Sequence, residues 1–297
     1  MKLKIWLKAF RLRTLPLSLS SIGMGSFLAA SKGSFRFDVF FLCMLTTTLL
    51  QILSNLANDY GDSIHGADSD ERKGPSRTVQ SGEISAKSMK KAIILCSILS
   101  LMSGISLLWI SLSNWKQFGI FLGLGLLAIL AAIAYTNGKK PYGYLGLGDI
   151  SVLIFFGWVG VIGTLFLHSQ QFDWMDWLPA TSSGLFAVAV LNINNVRDIE
   201  SDKKAGKYSI PVRLGRKYAR IYHIILLGTG LSFAVLFCVL SYQSFWQFLF
   251  MLTLPFFAKN AWAIAHLEEP SALDPYLKQM AITSMFFMLT FGIGLLI

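Results

Sequence analysis

Residues 38–58 read DVFFLCMLTTTLLQILSNLAN and run directly into DYGDSIHGAD, residues 59–68. The first part is one bilayer's depth of apolar sequence, since about 20 such residues carry a helix across the hydrocarbon core. The second part is acidic and marks the point where the chain returns to water. Eight more apolar segments lie near 14–31, 89–112, 117–136, 148–167, 177–197, 220–241, 245–266 and 278–297. In lipid every backbone amide needs a partner within its own segment, so these are helices. The predicted fold class is therefore all-α: a polytopic membrane protein with nine transmembrane helices, read as one unit over residues 1–297. Composition agrees. Of the 297 residues, 54% are apolar and 14% charged, whereas soluble domains carry about a quarter charged residues. The basic start runs on as a span through RLRTLPLSLSSIGMGSFLAA, residues 11–30, so no cleavable signal peptide is expected.

The net charge is +10. Of 26 Lys and Arg, 22 fall in segments on the same side as the N-terminus, three (Lys32, Arg36, Lys116) fall on the other side, and Lys259 lies within a span. Positive loops stay in the cytoplasm, which predicts the N-terminus inside and the C-terminus outside. The excess charge belongs to loops beside a lipid bilayer, and no nucleic-acid partner is indicated. Cys43, Cys96 and Cys238 all sit in apolar runs, with no CxxC. They read as buried small side chains rather than a disulfide scaffold or a thiolate metal site. The four histidines form no HExxH and no ligand pair.

Two cytoplasmic loops are long, about 59–88 after the second span and about 198–219 after the sixth. Each opens with carboxylates and amides, turns basic, and passes a similar stretch, GPSRTVQSG (74–82) or GKYSIPVRLG (206–215). They recur four spans apart, which suggests a weak parallel repeat of two four-helix units plus a ninth helix. In the first loop Asn55, Asn58, Asp59 and Asp62 fall on one helical face, with Asp68 beyond. In the second, Asn194 or Asn195, Asp198 and Asp202 share a face beside Arg197. Hard oxygen ligands of this kind suit Mg²⁺, which keeps waters and prefers a few carboxylates plus substrate phosphates. Arg72, Arg77 and Lys207 follow the acids closely and suit phosphate oxygens.

A diphosphate site at the membrane boundary, above an apolar bundle, points to a lipid diphosphate. Cations on the departing pyrophosphate would let an allylic carbon–oxygen bond ionise. Aromatic faces would then steady the carbocation, with Tyr60, Tyr135, Phe155, Phe156 and Trp158 as candidates. Asp149 opens a span, where helix capping alone accounts for it better than catalysis does.

At these residues the chain resembles the UbiA superfamily of intramembrane prenyltransferases, whose two Asp-rich motifs follow helices two and six. Asn58, Asp59 and Asp62 match the first motif, N-D-x-x-D-x-x-x-D, but Gly66 stands at its last position. Asp198 and Asp202 match the second, D-x-x-D-x-x-x-D, but Asn195 stands at its first. The stretches 55–82, 134–150 (AYTNGKKPYGYLGLGDI) and 194–215, with RLRTLP at 11–16, resemble the 1,4-dihydroxy-2-naphthoate polyprenyltransferase branch. The resemblance implies nine helices around a central cavity in a bacterial inner membrane. It implies transfer of a polyprenyl group from polyprenyl diphosphate to 1,4-dihydroxy-2-naphthoate, with loss of pyrophosphate and CO₂, in menaquinone biosynthesis. It implies Mg²⁺ on Asp59, Asp62, Asp198 and Asp202, aided by Asn58, Asn55, Asn194 and Asn195, with Arg72, Arg77 and Lys207 on the diphosphate. Tyr135, Lys139 and Lys140 border a cytoplasmic loop from which they would face the acceptor carboxylate; a turn at NGKKPYG explains them almost as well. Two rival readings stay open: another aromatic acceptor, such as 4-hydroxybenzoate or homogentisate, and a cation transporter. A transporter would place its acids near the bilayer midplane on broken helices.

Overall fold

The computed structural model describes residues 2–66 and 76–297, and among these residues there is no strand. Among the described residues, nine long helices occupy the segments read from hydropathy. They are α1 Leu15–Ser31, α2 Phe37–Ile64, α3 Ala86–Ser111, α4 Trp115–Ala134, α5 Gly148–Ser169, α6 Trp177–Arg197, α7 Ile210–Leu240, α8 Phe245–His266 and α9 Asp274–Leu296. A short amphipathic helix, Lys2–Phe10, precedes them. Their starts follow from local chemistry. Asn114 accepts the Lys116 and Gln117 amides ahead of α4, Ser85 accepts the Ser88 amide ahead of α3, and proline opens α1, α7 and α9.

Seven of these helices, all except α1 and α6, are long and apolar enough to cross a membrane. Nine transmembrane helices are expected from the sequence; by length and apolarity seven are found among the described residues. α1 has 17 residues, and α6 ends in Asn192, Asn194, Asn195 and Arg197. Most residues of both helices are buried in protein. A helix enclosed by its neighbours needs no apolar surface for lipid, so it tolerates polar residues that a peripheral helix would not. The outer helices are the converse: Phe41, Ile98, Trp109, Leu127, Ile225 and Trp262 are exposed along their spans. The chain is an integral membrane protein.

Packing is uneven between the halves. Around α6 to α9 the interior is filled by Phe186, Phe250, Phe257, Phe287 and Phe291, all almost fully buried and stacked at 4.5–6.3 Å between centroids. α5 crosses α6 with backbones in contact, because a Cβ on Gly157 would lie 2.9 Å from the Cα of Gly184. Between α1, α2, α3, α4 and α5 the bundle is hollow instead. A cavity of ≈ 350 Å³ runs there from Asn58 and Tyr135 toward Leu107, Phe121 and Leu167. Along α2 its lining extends from Cys43 to Asn58, roughly 22 Å at 1.5 Å per residue. The stretch of α5 facing it, Leu153–Ile162, is π-helical.

Candidate active site at the ends of α2 and α6

α2 stays helical through Ile64, so Asn58, Asp59 and Asp62 share a face as the spacing predicts. α6 breaks at Asp198 and resumes as the short helix Ile199–Lys204. The turn after it closes when the Lys207 amide donates to the Asp202 carbonyl, 2.8 Å, which returns the Lys207 side chain to its own acid. The loop after α4 meets this turn: the Tyr208 amide donates to the Tyr144 carbonyl at 2.9 Å. Arg213 secures the junction by donating to the carbonyls of Leu145 and Tyr208.

These contacts bring the two acidic tips together. The Tyr144 hydroxyl donates to Asp62 Oδ1 at 3.0 Å, and Arg77 Nη2 donates to Asp62 Oδ2 at 3.2 Å. Lys207 Nζ lies 3.2 and 3.1 Å from the two oxygens of Asp202 and 6.0 Å from the centre of the Tyr144 ring. Arg197 grips both oxygens of Asp198 at 2.8 and 2.7 Å, and also reaches Asn194 and Asp274. Asp59, Asp62, Asp198 and Asp202 are all buried. Burial pushes the Asp202 carboxyl up to about 6; Lys207 opposes this, and the charges of Asp198 and Asp62 add to it. Burial alone would lower the Lys207 ammonium, but Asp202, Asp62 and Asp198 outweigh it and raise it. The acids of the two tips therefore disfavour one another's charge, and Lys207 opposes this at Asp202.

The residues fit Mg²⁺. The buried Asn195 Oδ1 has no hydrogen-bond partner among the described residues, although a buried amide oxygen ordinarily finds one. Asp62 and Asp202 supply buried hard oxygens at the same two helix ends. No three His, Cys, Asp or Glu side chains among the described residues form a ready metal nest. Mg²⁺ does not need one, because it takes one or two carboxylates and completes its shell with water and phosphate.

Several expected residues are placed otherwise. Asp59 accepts the Thr78 amide and hydroxyl and the Val79 amide at 3.1, 2.7 and 3.2 Å. A carboxylate accepts about four hydrogen bonds, so Asp59 mainly holds the segment that carries Arg77. Asn55 donates to the Phe10 carbonyl and to Thr14 Oγ1, anchoring the N-terminal segment rather than facing the acids. Asn194 accepts from Arg197, and Asn58 lines the cavity. Lys139 and Lys140 are exposed and do not line the cavity. Tyr135 does, as do Phe155 and Phe156. Trp158 instead donates to Thr181, and Tyr60 lies under Lys90. Asp149 accepts the Tyr222 hydroxyl at 2.8 Å, tying α5 to α7. Arg72 and Asp68 lie outside the described residues. Tyr144, Thr78 and Asp274 had no role in the sequence reading. Tyr144 and Thr78 sit inside motif stretches, but nothing local marks Asp274.

Gly61 fixes the height of the loop after α4. A Cβ there would lie 2.5 Å from Thr136 Oγ1 and 2.6 Å from the Thr136 carbonyl oxygen. Gly61→Val is expected to lift this loop off α2 and cost about 1–3 kcal/mol of stability, read as a lower unfolding midpoint in detergent.

Tips that converge on one acidic centre above an apolar cavity suit an intramembrane transferase, and comparison with known proteins gives that class. The chain belongs to the UbiA prenyltransferase family, whose model matches residues 18–290. It is 50% identical to the 1,4-dihydroxy-2-naphthoate octaprenyltransferase of Haemophilus influenzae, over 100% of this chain and 97% of that one. It is 44% identical to the 1,4-dihydroxy-2-naphthoate octaprenyltransferase of Escherichia coli, over 98% and 94%. A solved UbiA homolog from Archaeoglobus fulgidus, bound to DMAPP and Mg²⁺, shares the fold with a TM-score of 0.68 at 16% identity, covering 98% of each chain.

Proposed function

We propose that this chain transfers a polyprenyl group from polyprenyl diphosphate to 1,4-dihydroxy-2-naphthoate, releasing pyrophosphate and CO₂, as a step of menaquinone biosynthesis. The observation that carries the reading is the meeting of Asp62 and Asp202 through Tyr144 and Lys207 at the polar end of the apolar cavity. The acceptor follows from the relatives at 50% and 44% identity.

In this reading Asp62, Asp202 and the free oxygen of Asn195 hold Mg²⁺, with Asp198 and Asn58 beside them. The metal supplies positive charge that stabilises the leaving pyrophosphate. Arg77 and Lys207 bind the diphosphate oxygens, so the negative charge that grows there meets cations already in position. Asp59 keeps Arg77 in reach by holding the Thr78 and Val79 amides. Phe155, Phe156 and Tyr135 wall the cavity beside the reacting carbon, exclude water and present aromatic faces to positive charge. The cavity takes the prenyl chain from the bilayer. The site faces the cytoplasm of a bacterial inner membrane, with the N-terminus inside and the C-terminus outside, in keeping with the basic loops.

The test is an assay of purified protein in detergent with Mg²⁺, octaprenyl diphosphate and separate acceptors. The expected result is a prenylated naphthalene with CO₂ released, lost on chelation of the metal. A product from 4-hydroxybenzoate and none from the naphthoate would overturn the acceptor assignment. Ion flux in liposomes without any prenyl product would overturn the enzyme.

A further inference from the structure

The cavity changes character along its length. Toward its outer end the walls are hydrocarbon, from Leu107, Leu108, Phe121 and Leu167. Toward the acids they are polar but uncharged. Thr47, Gln51 and Ser54 stand on α2 in steps of four and three, on the face that continues through Asn58 to Asp62. Ser21 faces them from α1. No Lys, Arg, Asp or Glu is among the lining residues.

Some hydroxyls lining the cavity are bonded within the protein: Ser18 donates to the Leu15 carbonyl, Ser100 donates to the Cys96 carbonyl, and Thr46 pairs with Ser103. Outside the cavity, helical serines such as Ser97 and Ser284 donate to the carbonyl four residues back. The Ser21, Thr47 and Ser54 side chains, by contrast, make no hydrogen bond among the described residues. Ser21 is only 3% exposed, and it lies against Gly160, which contributes no side chain of its own. These three hydroxyls open on the cavity rather than on packed protein, so a polar ligand there can meet them, whereas a hydrocarbon tail offers them no partner.

We propose that this neutral, hydroxyl-lined end of the cavity is the acceptor subsite. It takes the ring hydroxyls of a fused-ring aromatic acid on Gln51, Ser54 and Ser21, while the prenyl tail lies toward the outer end. The proposal rests on the function given above. The ring then lies beside Asn58 and Tyr135, next to the acids that hold the diphosphate. There the allylic carbon bonds to the ring carbon bearing the carboxylate, and the carbon–oxygen bond to pyrophosphate breaks with its electron pair leaving on oxygen. The bond to the carboxyl carbon breaks next, its pair restores the aromatic ring, and CO₂ departs with no proton required. A carboxylate carried into this chamber loses water and gains no cation, so its departure as neutral CO₂ is favoured.

Two variants test the subsite, Ser21→Ala and the double change Gln51→Leu with Ser54→Ala. The first readout is steady-state kinetics for each substrate. The second is direct binding of the stable analogue 1-hydroxy-2-naphthoate, followed by its fluorescence. In the double variant the acceptor KM and the analogue Kd are expected to rise about tenfold, and less in Ser21→Ala, with the donor KM within about twofold of wild type. An unchanged analogue Kd, or a rise confined to the donor KM, would overturn the subsite. The binding readout needs no turnover: wild type that transfers nothing would sink the assigned activity, while the analogue still decides the subsite.

Discussion

Asp62→Asn is expected to lower prenyl transfer by about a hundred- to a thousandfold while leaving the protein folded. The substitution keeps the shape of the side chain. Its amide oxygen still accepts the Tyr144 hydroxyl, which lies 3.0 Å from Oδ1. What it removes is the negative charge facing Arg77 at 3.2 Å, and with it the hard ligand proposed for Mg²⁺. The expected signature is a fall in kcat with a higher Mg²⁺ requirement, and weaker binding of Mn²⁺ in the presence of inorganic pyrophosphate. Asp59→Asn makes the contrast. Its new NH₂ group would face one of the donors of Thr78 and Val79, so the damage falls on the fold of that segment and shows in the unfolding midpoint. If Asp62→Asn retained full turnover, Asp62 would not be a ligand at all.

The contrast between these two acids marks where the sequence stops being legible. Spacing placed Asp59 and Asp62 on one helical face, and they are there, because periodicity is a property of the backbone. Spacing was silent on what lay opposite that face. The Thr78 and Val79 amides come from a separate loop, and an acid that grips backbone looks the same in sequence as one that grips metal. The spans were legible for a related reason, since lipid forces every peripheral helix to be apolar. α1 and α6 depart from that rule because protein encloses them. The stripe from Thr47 through Gln51, Ser54 and Asn58 was also readable as one face. Read as packing, its hydroxyls draw no notice; only the cavity shows that they lack partners. The filled aromatic half and the hollow half could not be told apart by hydropathy, because phenylalanine and leucine score alike while differing in volume.

Arg197→Met should be the most destabilising single change at the acidic centre, on the order of 3–5 kcal/mol. Arg197 is buried, with 1% of its side chain exposed, and it serves three elements at once. Its Nε and Nη2 close a two-pronged bond on Asp198, Nη2 also reaches Asn194, and Nη1 donates to Asp274 at the start of α9. Methionine fills most of the volume and leaves Asp198 buried with its principal counter-charge gone. A sharply lower unfolding midpoint and loss of transfer are expected. Arg197→Lys should recover only part of either, because a point charge cannot hold both carboxylate oxygens and Asp274 together. Asp274→Asn should be mild, since that acid is 30% exposed and also meets Arg13 at the start of α1. The double change Arg197→Met with Asp198→Leu separates stability from function. With both charges removed, the midpoint should return toward wild type, yet transfer should stay lost because Asp198 is gone. Recovery of both would mean that Asp198 serves only to balance Arg197, and the metal centre would then rest on Asp62, Asp202 and Asn195 alone.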